Sequence, residues 1–343
     1  MKTLAGLRAL STQFSPFWER LRQAGGKAGK VLFFSLGDEA ISPRRSLCVS
    51  LEKGGFSAVC GRRVLSRVSV SGSRAFPFQG YPDPADFASS LDLAAKEMGV
   101  SGVAVSIALP KAWTVIKTFN LPHSVKQNLP EVLSYEMDRI TPFSSDEALY
   151  DFEILKETEE GMHIVVVAAK AEMVLPYLEA LAERGFQVER VTSTVSGAGN
   201  LCLRSGWKDC IFLEISGGEY SGVVYADGMI TASFSRSLAG DDAAKGDLLV
   251  SELETRNQGL GKETKILVSV REQSNAVIER LRGLRGVMFV KSSDFGFGSS
   301  AADASLSSLG CLVESLWPKA MSLNLLMKGY REKKRPAFSS RGT

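Results

Sequence analysis

Histidine is nearly absent from this chain. Its 343 residues hold two, His123 and His163, and the five cysteines at 48, 60, 202, 210 and 311 include no C-x-x-C pair. That leaves no ligand set for a structural zinc ion. An odd, scattered set of thiols fits a reducing compartment, each Cys serving as a small buried hydrophobe. No stretch approaches 18 uncharged apolar residues and the N-terminus lacks an apolar signal core, so neither a membrane span nor a secretory signal is read in the sequence. Missing as well are the G-x-x-x-x-G-K-[ST] loop, the G-x-S-x-G elbow and a strand-linked G-x-G-x-x-G; Gly296-Phe297-Gly298 is only a short glycine turn. His123 stands between Pro122 and Ser124 at a helix entry and His163 in a strand pattern, places that suit surface or packed residues better than catalytic ones.

What is present is an ordinary soluble composition, 44% apolar and 23% charged, long enough for two domains at roughly 150 residues each. The net charge of +3 is unevenly spread. Residues 1–30 carry six Lys/Arg against Glu19 and residues 328–343 carry six against Glu332, which leaves about −7 for the middle. A mildly acidic body between basic ends argues against a nucleic-acid-binding core and for ends that meet an anionic surface. Residues 1–29 read as a separate arm, with Leu4, Leu7, Phe14, Phe17, Trp18 and Leu21 interleaved with Arg8, Arg20 and Arg22. Such a basic amphipathic helix either docks on its own domain or lies on a membrane surface.

Along the chain, residues 30–36, 46–52 and 56–61 read as a three-strand meander, and the Ser/Gly/Pro-rich stretch 71–84 as a loop. Asp83-Pro84 with Asp86 places an N-cap, a proline at N1 and an acid at N3, opening a helix that Gly99 stops; a buried strand follows at 103–109. Residues 111–169 then form an insertion: strand 113–119, helix 122–140, strands 149–155 and 162–169. Ser124 with Gln127 and Asn128 with Glu131 are alternative capping boxes for that helix, and Pro130 favours the later start. A helix at 172–183 with Gly185 as its stop, a strand at 188–191 and a helix at 195–203 close the first half, 30–205. The second half, 206–320, repeats the plan. Strands 210–215, 220–225 and 229–237, turned at Gly217-Gly218 and Asp227-Gly228, precede helix 248–256, strand 265–270, helix 274–282, strand 287–290 and helix 302–316. Both halves thus read βββ-α-β-α-β-α, and a doubled βββαβαβα is the layout of the actin-like ATPase superfamily, an α/β, ribonuclease H-like fold with an inserted α+β subdomain.

That layout implies two phosphate-binding hairpins, each needing an acid for Mg²⁺ and glycines for the phosphates. The first hairpin is read as Ser35-Leu36-Gly37-Asp38, with its Asp after the Gly instead of before it. The second, Glu214-Ile215-Ser216-Gly217-Gly218, keeps an acid and two glycines. The Gly-Gly turn that would accept adenosine is missing from Leu267-Val268-Ser269-Val270-Arg271. Glu214, Gly217 and Gly218 therefore read as the remnant of a nucleotide site, with bound ATP and Mg²⁺ the weaker expectation.

The most specific local signal lies in the insertion: Leu121-Pro122, Asn128-Leu129, and Tyr135-Glu136-Met137-Asp138-Arg139-Ile140-Thr141-Pro142-Phe143. This run resembles the cytoplasmic domain of the GspL/PilM family of type II secretion and type IV pilus inner-membrane platforms. Phe234-Ser235-Arg236-Ser237-Leu238 and Leu323-Asn324-Leu325-Leu326 match it further, although Met327 stands where the family has proline. By itself the insertion motif is also a plain helix end, with Glu136 and Arg139 an i,i+3 pair, Met137 and Ile140 inward, and Pro142 as the stop.

The resemblance implies a non-catalytic cytoplasmic scaffold, linking a GspE- or PilB-like ATPase to platform proteins of the GspM/GspF or PilN/PilO kind, with a homodimer as a further possibility. It implies partner binding by the inserted helix through Asn128, Glu131, Tyr135, Glu136, Asp138 and Arg139. It makes Leu323, Asn324, Leu325 and Leu326, within a terminal segment 321–343, a short peptide that docks on the actin-like body. Lys328, Arg331, Lys333, Lys334 and Arg335 would then face the inner membrane, followed in the native protein by a membrane helix. The competing expectation is an ATP-binding protein whose nucleotide state regulates partner binding.

Overall fold

The computed structural model describes residues 44–65, 67–258, 260–261, 264–271, 274–317 and 323–326. Two five-stranded sheets and one three-stranded sheet organise them. In the first half, β1 (Arg44–Glu52), β2 (Gly55–Val64) and β3 (Arg67–Pro77) form the meander, then α1 (Pro84–Glu97), β4 (Val105–Leu109) and, after the insertion, α3 (Ala171–Glu183), β8 (Val188–Ser193) and α4 (Thr194–Arg204). The sheet order is β3-β2-β1-β4-β8. In the second half, β9 (Cys210–Ser216), β10 (Glu219–Ala226), β11 (Met229–Ser237), α5 (Asp242–Asn257), β12 (Lys265–Val270), α6 (Asn275–Arg282), β13 (Val287–Phe289) and α7 (Leu306–Leu316) give the sheet β11-β10-β9-β12-β13. In each sheet the first strand pairs antiparallel with the second and parallel with the fourth. The two halves have one strand order, and the fold is actin-like.

The expected meander is displaced by one strand. Residues 46–52 and 56–61 are the cores of β1 and β2, and β3 occupies what reads as loop from residue 71, so the first hairpin among the described residues is Glu52-Lys53-Gly54-Gly55. The expected strand 30–36, the hairpin 35–38 and the arm 1–29 lie outside the described residues. β3 escapes a pattern reading because Arg-Val-Ser-Val-Ser-Gly-Ser-Arg is the polar sequence of an edge strand, with little apolar alternation to mark it. Helix α5 starts at Asp242 rather than at 248, capped by Asp241 accepting from the Ala244 amide, and α7 starts at Leu306 rather than at 302, after a 3₁₀ turn at Ser299–Ala301. Asp83 caps α1 as expected, its carboxylate accepting from the Ala85 amide at 2.9 Å.

The insertion is a sheet β5 (Thr114–Leu121), β7 (Gly161–Lys170) and β6 (Ala148–Thr158), in the order β5-β7-β6, with α2 (Leu129–Ile140) on one face. Strand period does the positioning. Met162, Ile164, Val166 and Ala168 of β7 pack under Leu129, Leu133 and Met137 of α2, whereas Val165, Val167 and Ala169 join the main core. Neither capping box forms: a 3₁₀ turn at His123–Asn128 leads into α2, and the Asn128 side chain makes no cap bond.

Helix α7 is buried on every side, as the core of the molecule requires of a helix flanked by packed elements. It meets α4 where Gly197 faces Gly310; a Cβ on Gly310 would stand 2.3 Å from the Gly197 carbonyl carbon, so only glycine permits this crossing. All five cysteines are buried and unbridged. Among the described residues, no helix is long and apolar enough to cross a membrane and no cluster of His, Cys, Asp and Glu is fit to hold a metal.

Candidate functional site

Strand β8 is the last strand of the first sheet, and its outer edge presents peptide groups that need partners. Residues Leu323–Leu326 supply them. The Leu325 amide donates to the Val191 carbonyl at 2.8 Å. The Asn324 side chain mimics a strand peptide: its Oδ1 accepts from the Val191 amide at 3.0 Å and its Nδ2 donates to the Glu189 carbonyl at 2.9 Å. The same Oδ1 accepts from the Leu326 amide at 3.2 Å, and the Asn324 amide donates to Asp151 Oδ2, on β6, at 2.8 Å. Leu323, Leu325 and Leu326 are each at most 2% exposed, within the main core. Burying three leucines stabilises by about 1.5–3 kcal/mol apiece, enough to hold a four-residue segment against its ordering entropy.

Beneath the segment lie two charged residues. Arg190 donates from Nη1 to the Leu323 carbonyl at 3.0 Å and stands 3.7 Å from Glu314 Oε1. Glu314, in the last turn of α7, also accepts from Thr192 Oγ1 at 2.8 Å, Ser196 Oγ at 3.3 Å and the Leu323 amide. Burial pushes its carboxyl up to about 7, with Arg190 and these donors pulling the other way.

A second polar site lies where the two hairpins meet. Gly54 and Gly217 are in contact, and a Cβ on Gly217 would fall 1.6 Å from the Lys53 carbonyl oxygen. Around this contact Lys53 pairs with Glu219 at 3.1 Å, Ser216 donates to Glu52 at 3.1 Å, Arg271 reaches Glu52 at 3.4 Å, and Tyr81 donates to Glu219 at 3.0 Å. Glu214 is buried, with two strand residues between it and the turn, and is bonded to the Ser307 hydroxyl; burial first, then the Glu52 carboxylate, push it up to about 7. Of the expected nucleotide remnant, the structure brings Gly217 to the cleft contact and Glu214 beneath it, while Gly218 faces open space in the left-handed turn. Glu52 and Glu219 are answered by Lys53, Arg271 and hydroxyls of the chain itself, whereas Oε1 of Glu214 is buried without a hydrogen-bond partner. Glu52, Lys53 and Arg271 escape the sequence reading because the first hairpin is displaced there; Arg190 and Glu314 escape it because only the fold brings β8 and α7 together.

On the insertion, Asn128, Glu131, Tyr135, Asp138 and Arg139 lie exposed along α2, and Tyr135 is 87% exposed. Glu136 is half-buried and pairs with Arg139 at 3.0 Å. Helical spacing puts Asn128, Glu131, Tyr135 and Asp138 in one stripe opposite the buried Leu129, Leu133 and Met137. Lys328, Arg331, Lys333, Lys334 and Arg335 lie outside the described residues.

Residues 80–195, which span α1 to the start of α4 and contain the insertion and β8, match the model of the family of type IV pilus assembly protein PilM. Over that stretch the chain is similar to PilM. The resemblance to the GspL/PilM family read from the motif at 135–143 thus has an independent match over the same region. Among solved structures, a PilM–PilN type IV pilus biogenesis complex aligns with a TM-score of 0.63 at 18% identity, over 80% of this chain and 99% of that one. The cytoplasmic domain of EpsL, an inner-membrane component of the type II secretion system of Vibrio cholerae, aligns with a TM-score of 0.49 at 14% identity, over 83% and 98% of the two chains. At such identities the likeness is one of fold, and the first of these alignments carries it. No curated protein sequence matches the chain.

Proposed function

We propose that this chain is a non-catalytic cytoplasmic scaffold at the inner membrane of a type IV pilus or type II secretion assembly, linking the assembly ATPase to platform proteins. The observation that carries this reading is the docked Leu-Asn-Leu-Leu segment: the body devotes a sheet edge and a buried ion pair to gripping a short peptide instead of a small molecule. The match of residues 80–195 to the PilM family and the fold shared with a PilM–PilN complex support a PilN-like platform partner. The ion pairs that run directly between the two hairpins support the non-catalytic half of the reading over the nucleotide-switched one.

The ATPase would bind the α2 stripe, whose exposed tyrosine between Glu131 and Asp138 is the residue type that anchors interfaces, set in a rim of charge. Pull-down of the assembly ATPase on immobilised chain tests this. Tyr135→Asp combined with Asp138→Arg is expected to lower capture at least tenfold while circular dichroism stays that of the parent; undiminished capture by the folded variant assigns the ATPase to another surface.

A further inference from the structure

The open edge of a sheet does not by itself choose a direction, because its N–H and C=O groups pair with a parallel strand as well as with an antiparallel one. The bond from the Leu325 amide to the Val191 carbonyl and the side-chain amide of Asn324 fix where the segment lies on β8, but not which way it runs. Two charged side chains add what these contacts lack. Arg190 donates from Nη1 to the Leu323 carbonyl at 3.0 Å, and Glu314 accepts from the Leu323 amide. The two charges stand side by side, Nη1 and Oε1 3.7 Å apart, on side chains 14% and 0% exposed. A cation thus meets the carbonyl, and an anion the amide, of one and the same residue. The remaining bonds on Glu314 come from the Thr192 and Ser196 hydroxyls, both donors, so the carboxylate is held in place as an acceptor by β8 and α4 themselves.

We propose that Arg190 and Glu314 read chain direction in this groove, admitting an extended segment only when it runs as residues 323–326 do. Turned round, the same segment would present a carbonyl oxygen to the Glu314 carboxylate and an N–H to the Arg190 guanidinium. Arg190 can only donate and an ionised carboxylate can only accept, so both contacts would be repulsive, in a site sheltered from water. The pair touches main-chain atoms of residue 323 and is indifferent to the side chain there. Leu323, Leu325 and Leu326 supply burial, and Asn324 sets the place along β8. This division of labour explains why a groove built for three leucines keeps a buried ion pair. An apolar pair of similar volume would hold the leucines at least as well, and the best-attested use of buried polar groups is to fix one arrangement among several. Direction matters beyond the groove, since it decides toward which end of β8 the chain continues past Leu326. The inference concerns the docked segment alone and holds whether or not the chain is a scaffold.

Peptide binding at pH 8, above the value of about 7 to which burial pushes Glu314, tests it. The whole chain with Leu325→Asp and Leu326→Asp undocks its own segment and frees the groove. It is titrated with a fluorescein-labelled peptide of residues 321–328 and with the same peptide carrying residues 323–326 in reverse order, Leu-Leu-Asn-Leu. The forward peptide is expected to bind more tightly by at least about tenfold, the fold-change of one charged hydrogen bond. Arg190→Gln with Glu314→Gln keeps a hydrogen-bonding group at both places, but each amide can turn to donate or accept. The ratio between the two peptides should therefore fall below about threefold, whereas a merely structural role would weaken both peptides alike and leave the ratio unmoved. A ratio near one before the glutamines are introduced, a tenfold ratio that survives them, or no binding of the forward peptide overturns the proposal. Should circular dichroism show the double glutamine variant unfolded, Glu314→Gln alone must lower the ratio at least about threefold, and an unmoved ratio overturns the proposal equally.

Discussion

Two neighbouring glycines separate conformation from space. Gly217 and Gly218 both have positive φ, 58° and 74°, where an L side chain costs roughly 1–2 kcal/mol. Beyond that they differ, since a Cβ on Gly218 meets nothing within 4 Å and one on Gly217 collides with the Lys53 carbonyl. Gly218→Ala is accordingly expected to cost about 1 kcal/mol, and Gly217→Ala a further 1–3 kcal/mol of overpacking on top. Urea unfolding midpoints of the two variants check this; equal losses would show that the hairpins do not touch. The sequence marks both residues as turn glycines but not which is pressed against the opposite hairpin, because that contact depends on the displaced register of β1 and β2.

At the scale of elements, what was legible followed periodicity and punctuation. The α1 cap at Asp83, the α2 face Leu129-Leu133-Met137 and the second meander were all readable, since each is a local pattern with a local cause. β3 was not, because an edge strand that is polar on its open side has the composition of a loop. The docking of 323–326 was readable as three leucines that want burial; its partner strand was not, because Val191 and Asn324 are brought together only when the sheet closes. The element-level test is Asn324→Ala. It removes the acceptor of the buried Val191 amide and the donor to Glu189, and an orphaned buried polar group costs about 1–3 kcal/mol. The expected outcome is loss of exchange protection at Val191 and Leu325 with global stability lowered by that amount; retained protection at Leu325 would mean that the leucines alone hold the segment.

At the scale of the whole molecule the question is what joins the two halves of an actin-like body. In a nucleotide-switched protein a ligand bridges the two hairpins; here Lys53–Glu219, Glu52–Arg271, Ser216–Glu52 and Tyr81–Glu219 run between the halves directly. These links are partly exposed, with side chains of Lys53 and Glu219 at 37% and 24%, so each contributes only about 0–1 kcal/mol and the set acts as a network. A ligand at 100 times its dissociation constant would add about 2.7 kcal/mol, several degrees of melting temperature. Millimolar MgATP is therefore expected to leave the melting temperature within a degree of its starting value. Lys53→Glu places a third carboxylate beside Glu52 and Glu219 and lowers the melting temperature; adding Glu219→Lys in the same chain restores the pair with its sign reversed and recovers most of the loss. A rise of several degrees with MgATP that Glu214→Ala abolishes would instead make this cleft a working nucleotide site, and failure of the charge reversal to recover stability would remove Lys53 and Glu219 from the set of links that hold the halves together.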